Sequence, residues 1–202
     1  ILPRNCRMTA ADTNKAPMTP NAPPSSEIIR KLCLKCGLCC DGSLFKDVEL
    51  QAGDDADRIK KGGVRLRKAR QNPSAETPGL RFAQPCRALG KDCRCAVYAD
   101  RPGHCREFEC LLFAEAAGGR IKLATARGIV RKARRLTAEV DGLLHRLGDS
   151  SSDKPLQQRF RKIARRIEST NATPDELAVY GELTLAFHAL NHLLGSRFYR
   201  EG

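Results

Sequence analysis

Cys33-Leu34-Lys35-Cys36-Gly37-Leu38-Cys39-Cys40 sets four thiols within eight residues, and five more follow at Cys86, Cys93, Cys95, Cys105 and Cys110. Disulfides use such crowding poorly. A bridge needs a particular separation between its two Cα atoms, and cysteines this close in sequence rarely reach it without strain. A cation asks for something different. Two residues between cysteines let a tight turn aim both sulfurs at one ion, and Gly37 suits a turn that needs a positive φ. Adjacent Cys39 and Cys40 point in different directions, so they serve different metals or only one is a direct ligand. The stretch therefore predicts metal binding rather than cross-linking.

Composition agrees. The chain of 202 residues has no Trp, 3 Tyr and 7 Phe, so large apolar side chains are scarce. A metal–thiolate knot can supply folding free energy of about 10 kcal/mol or more, comparable to a small core. No apolar run is long enough to span a bilayer, and Ile1 to Glu27 has no apolar stretch of the secretory kind. Together with reduced thiols this predicts a reducing compartment: the mitochondrial matrix if the Arg-, Ala- and Thr-rich opening is an organellar presequence remnant, otherwise the cytoplasm.

Three regions follow. Residues 1–26, with five prolines and little to bury, read as a flexible extension. Residues 27–118 read as an irregular cysteine-rich metal-binding domain. Short strands are expected at Leu44–Leu50 and Cys95–Tyr98, a helix is expected to begin in Gly103–Ala117, and Asp54–Pro78 reads as a basic loop with one short helix. Residues 119–202 read as a basic domain of three antiparallel amphipathic helices. Ile129, Ala133, Leu136, Val140, Leu143 and Leu147 form the first apolar seam, and Leu156, Phe160, Ile163 and Ile167 the second. Leu177, Tyr180, Leu183, Phe187, Leu190 and Leu194 form the third. Thr173-Pro174-Asp175-Glu176 opens that last helix as an N-cap, a first-turn proline and a capping box. The fold class is mainly α with little β.

The order of motifs is itself informative. Cys33-x2-Cys36-Gly37-x-Cys39-Cys40, then Pro85-Cys86-x2-Leu89, then Cys95-x-Val97-Tyr98-x2-Arg101-Pro102-x2-Cys105-Arg106-x-Phe108-x-Cys110 closely resemble the CxxCxxCC (YkgJ-like) proteins, a family of zinc- or iron-chelating domains. The resemblance covers residues 33–110. It implies metal ligation by Cys33, Cys36, Cys39, Cys40, Cys86, Cys95, Cys105 and Cys110, and leaves Cys6 and Cys93 outside the pattern. One branch of the family includes flagellin lysine N-methylases, but residues 119–202 match no substrate domain of that branch. Eight thiolates suit up to two tetrahedral zinc ions. Closely spaced cysteines with a distant fourth also suit an iron–sulfur cluster. Zinc is the preferred reading and iron–sulfur the alternative.

The net charge is +13, from 36 Lys and Arg against 23 Asp and Glu. Residues 27–118 hold 17 basic and 13 acidic side chains, and two zinc ions with eight thiolates carry about −4, so the metal domain is close to neutral. The excess lies in residues 119–167, with 14 basic and 4 acidic residues. Arg131, Lys132, Arg134 and Arg135 flank the first seam; Arg159, Arg161, Lys162, Arg165 and Arg166 flank the second. Such a stripe fits a phosphate backbone, read by charge and shape because aromatics are few. His188 and His192 share a helix face, and His104 adjoins Cys105; packing or surface roles suit all three better than ligation.

The expected function is that of a non-catalytic, metal-stabilised scaffold, docked through its basic helices to RNA or proteins of a larger assembly such as an organellar ribosome. The competing expectations are an iron–sulfur-dependent protein-modifying enzyme and a metal-handling protein. No small-molecule substrate site, phosphate loop, Ser/His/Asp arrangement or carboxylate pair is apparent.

Overall fold

The computed structural model describes residues 24–68 and 79–199, apart from the side chains at 24–26 and 30. The expected extension lies outside the described residues up to position 23, as does Cys6, and so does the 69–78 part of the expected basic loop. From Pro24 the chain is helical. Helix α1 (Pro24–Lys31) begins inside the stretch expected to be irregular, because a proline suits its first turn and Glu27 pairs with Lys31 one turn on.

A single 3₁₀ turn, Cys33–Lys35, carries the first cysteine. A small sheet follows, with β1 (Asp47–Glu49) and β2 (Arg67–Lys68) both antiparallel to a central β3 (Leu80–Ala83). Val48 stands opposite Phe82, so one face buries two apolar side chains. Helix α2 (Ala56–Lys61) is the short helix expected in the basic stretch; Asp55 caps it by accepting from the amides of Asp57 and Arg58. No strand forms at Cys95–Tyr98. Cys95 makes one isolated bridge to Leu89, in a tight loop closed by the Gly90 N–H on the Arg94 carbonyl.

The helix expected in 103–117 is broken in two, α3 (Gly103–Glu107) and α4 (Leu111–Ala117). The break is made by Cys110, whose Sγ accepts the Phe113 N–H at 3.3 Å and so starts a new helix. Helices α5 (Leu123–Arg146), α6 (Leu156–Ser169) and α7 (Pro174–Arg197) stand where the apolar periodicity put them. The capping box at Thr173 and Glu176 is present in both directions.

The seam of α5 is wider than a coiled-coil stripe. Ala126, Val130, Ala133, Val140, Leu143, Leu144 and Leu147 are buried, while Ile129 and Leu136 lie at the edge. Helix α5 packs mainly on α7 but also on α4 and α6, and three neighbours need a broader apolar face than one. In α7, Leu183, Ala186, Phe187, Leu190 and Leu194 are buried, whereas Leu177 is half exposed. Phe160 of α6 stacks flat on Phe187, with centroids 4.1 Å apart.

Two hydrophobic clusters result among the described residues. The larger joins α5–α7 to α4 and to Leu32, Leu38 and Leu44, so it crosses the compositional boundary at 118/119. The smaller holds Val48, Ile59, Val64, Phe82, Cys86, Ala88 and Val97. No helix among the described residues is long and apolar enough to cross a membrane.

Candidate metal centre

The CxxCxxCC segment is a chain of tight turns. Gly37 takes φ 74°, the left-handed conformation that its lack of a Cβ permits. The Gly37 carbonyl accepts the amides of Cys40 and Asp41, and Leu38 is fully buried behind the turn. A reversal of this kind sends successive sulfurs to different sides. Cys36 and Cys39 pack against the helical core together with Cys110. Cys40 packs against the small sheet together with Cys95 and Cys105, where Cys86 is already part of the cluster.

Electrostatics divide the cysteines in the same way. Burial raises the Cys33 thiol to about 12, with Cys110 adding to the rise. Burial also pushes up Cys36 and Cys39, and both feel Cys110 and Cys33. Cys40 is raised by burial and then by Cys86, Cys105 and Cys95. Cys105 is raised to about 12 by burial, then by Cys86 and Cys95. Across the two groups Cys40 raises Cys39, its chain neighbour.

All eight are free cysteines. They therefore fall into two groups of four: Cys33, Cys36, Cys39 and Cys110, and Cys40, Cys86, Cys95 and Cys105. Cys93, buried at φ 66°, is not one of the eight: it is disulfide-bonded, against the expectation that these cysteines avoid cross-linking. A cavity of about 180 Å³ touches both groups.

Raised thiols crowded together out of water are poorly stable as anions by themselves, and a divalent cation reverses that balance by replacing their protons. In donor type, number and grouping the residues fit zinc or an iron–sulfur cluster. As they stand, no three His, Cys, Asp or Glu side chains among the described residues are drawn tightly enough to hold an ion. Loading requires the sulfurs to close in.

Charged neighbours complete the surroundings. Arg101 favours the thiolate at both Cys33 and Cys105, so it serves both groups; its guanidinium lies 4.1 Å over the Tyr98 ring. Pro102 stands at the N-cap of α3, the helix that carries Cys105. Arg134 donates to the Lys35 carbonyl at 3.3 Å and lies near Cys36 and Asp41. The Asp41 carboxyl is raised by burial to about 6, although the Ser43 amide donates to it. Arg101 and Arg134 could not be recognised as neighbours of sulfur from sequence, since neither is close in the chain to all the thiols it faces. His104 packs with Phe45 and Phe108, and His188 and His192 are exposed on α7.

The basic helices divide too. Arg131, Lys132 and Arg135 on α5, and Arg161 and Arg165 on α6, are exposed and make no ion pair among the described residues. Arg127, not singled out from sequence, extends the α5 row at the same spacing of four. Lys162 is exposed beside Ser151. Three others are taken up by the protein. Arg134 faces the thiols. Arg166 holds Glu176 at 2.8 Å and the Leu147 carbonyl. Arg159, 4% exposed, joins Asp149 and Asp141, each at 2.6 Å.

The chain matches no curated protein and no solved structure. Residues 32–125, from the turn before Cys33 into the first turn of α5, match one family model. The matched family is CxxCxxCC, described as a "Putative zinc- or iron-chelating domain", and the cysteine order of segment 32–125 agrees with that match.

Proposed function

We propose that the protein is a non-catalytic scaffold, folded around two four-thiolate metal centres and docked to a larger polyanionic assembly through α5 and α6. The observation that carries the reading is the division of eight free cysteines into two sets of four, with Cys33 joining its set through Cys110. Cys33, Cys36, Cys39 and Cys110 would hold one ion, and Cys40, Cys86, Cys95 and Cys105 the other. Four thiolates around zinc close its coordination sphere, which suits a structural centre; a catalytic zinc keeps a position open. Bound there, the metal supplies cross-linking and charge neutralisation, and Arg101 and Arg134 offset the remaining negative charge.

For docking, the row Arg127, Arg131 and Arg135 and the pair Arg161 and Arg165 supply cations that no carboxylate of the described residues takes up. A ribonucleoprotein, such as an organellar ribosome, is the partner class that suits a basic, aromatic-poor surface.

Elemental analysis of the purified full chain, with its co-purifying partners, tests the reading. Zinc at two ions per chain, in a colourless protein, is expected. A brown protein rich in iron would favour the iron–sulfur enzyme instead, and a protein without metal would end both.

A further inference from the structure

We propose that the two centres are unequal: Cys40, Cys86, Cys95 and Cys105 hold the permanent staple, whereas Cys33, Cys36, Cys39 and Cys110 form an exchangeable site that can give up its ion while the fold stays intact. This rests on the two-centre reading above and concerns what each centre does for the chain.

The first observation is nesting. Every ligand of the inner set lies between Cys39 and Cys110, so the outer set closes a loop that contains the whole inner set. Three of the outer ligands sit within seven residues on one run of turns, and a single long closure, to Cys110, completes the set. That closure is duplicated by contacts that need no metal. Leu32, before Cys33, Leu38, before Cys39, and Leu112, two residues after Cys110, are buried in the same helical core. Helix α1 packs on α4. Arg134 holds the Lys35 carbonyl, the Tyr199 hydroxyl donates to the Leu44 carbonyl at 2.6 Å, and the Leu111 amide donates to the Phe198 carbonyl. Cys110 already has a second role, as the cap of α4. With the outer ion gone, these ties remain.

The inner set has a smaller apolar reserve, its segments being tied by polar contacts such as the Gly103 amide to Asp54 at 2.7 Å and Arg58 to Asp100 at 3.1 Å. Its ligands come from four separate segments: the end of the CxxCxxCC run, the turn after β3, the loop at Cys95, and α3. The elements between them are strands of two to four residues and helices of five and six. Elements this short do not persist alone. The cluster they share has seven buried members, with Phe82 its one aromatic side chain. Backbone bonds such as Cys86 N–H to the Cys40 carbonyl align the ligands but bury little. A cross-link that closes loops around so small a core removes much of the unfolded chain's freedom. Access points the same way: Cys33 is exposed among the described residues, whereas Cys86 of the inner set is buried.

The outer site is thus suited to exchanging a soft, thiophilic divalent or monovalent cation with a competing thiol ligand. Each ligand exchange conserves charge, as a proton returns to the sulfur when the metal leaves.

The full chain, purified with its ions, is titrated with chelators of increasing strength, and the remaining ions are counted by native mass spectrometry. Reactive thiols are alkylated and mapped at each step. A one-ion intermediate in which Cys33, Cys36, Cys39 and Cys110 are alkylated and Cys40, Cys86, Cys95 and Cys105 are protected is the expected result, with helical circular dichroism unchanged. Cys33→Ser is expected to retain one ion and the proteolytic resistance of Leu80–Val97, whereas Cys95→Ser loses that resistance. Simultaneous loss of both ions, or earlier alkylation of the Cys40 set, overturns the inequality while leaving two centres in place. All eight thiols reactive before any chelator, with no ion bound, overturns the two-centre reading itself.

Discussion

Cys39 and Cys40 are consecutive residues that belong to different surroundings: Cys39 packs with Cys36 and Cys110 on the helical core, and Cys40 with Cys95 and Cys105 on the small sheet. One peptide bond thus joins two candidate metal centres, and through it the helical bundle is tied to the irregular lobe.

Serine at either position should therefore remove one ion and not the same one. Cys39→Ser is expected to leave Cys40, Cys86, Cys95 and Cys105 protected from alkylation, and Cys40→Ser to leave Cys33, Cys36, Cys39 and Cys110 protected. Thiol mapping by mass spectrometry reads the difference. If both variants expose the same cysteines, the division into two sets is wrong.

Arg159 is the buried joint between the end of α5 and the start of α6. It binds Asp149 and Asp141 at 2.6 Å each, and the Asp149 side chain is fully enclosed. Replacing it with Met leaves two carboxylates facing each other without their cation, which should cost about 3–5 kcal/mol in urea unfolding. Burial alone would raise the Asp149 carboxyl. The Arg159 hydrogen bond and charge, with help from Ser151, outweigh that and hold it below the usual carboxylate range. A lowered folded-state pKa means that the stabilisation is complete above the unfolded value, about 4, and is lost as pH falls through the lower folded value. Wild-type protein should lose stability more steeply below about pH 4 than Asp149→Asn does. Parallel pH curves for the two would contradict this.

Thr173→Ala should destabilise the chain by about 1 kcal/mol, because it removes the acceptor for the Glu176 amide at the start of α7. Since the cap is exposed and far from sulfur, metal content should not change; thermal unfolding and elemental analysis of one sample read both.

Exchanging Arg131, Arg135, Arg161 and Arg165 for Gln tests the basic surface. These side chains are exposed and unpaired among the described residues, so circular dichroism should be unaltered. Affinity for single-stranded RNA should fall, and the slope of log affinity against log salt should shrink by about 3 for four lost phosphate contacts. An unchanged slope removes these residues from the binding surface.

Much of the helical half was legible because its signals are local. Thr173, Pro174 and Glu176 lie within one turn, and Ile163 and Ile167 repeat at helical spacing. Arg159 is instructive. It lies four residues before Ile163, so helical register alone places it on the apolar face; its acids, Asp141 and Asp149, come from the preceding helix and turn and carry no local mark. The strand Leu80–Ala83 is too short to show alternation. The divergence of Cys39 and Cys40 follows from their adjacency, whereas the grouping of Cys33 with Cys110 depends on α4 packing beside α1, which only the folded chain displays.

X-ray absorption at the metal edge, on protein of known metal content, tests the central claim most directly. Two ions per chain, each with four sulfur neighbours at about 2.3 Å, is the predicted result. A single ion per chain, or a shell dominated by nitrogen and oxygen, would contradict it.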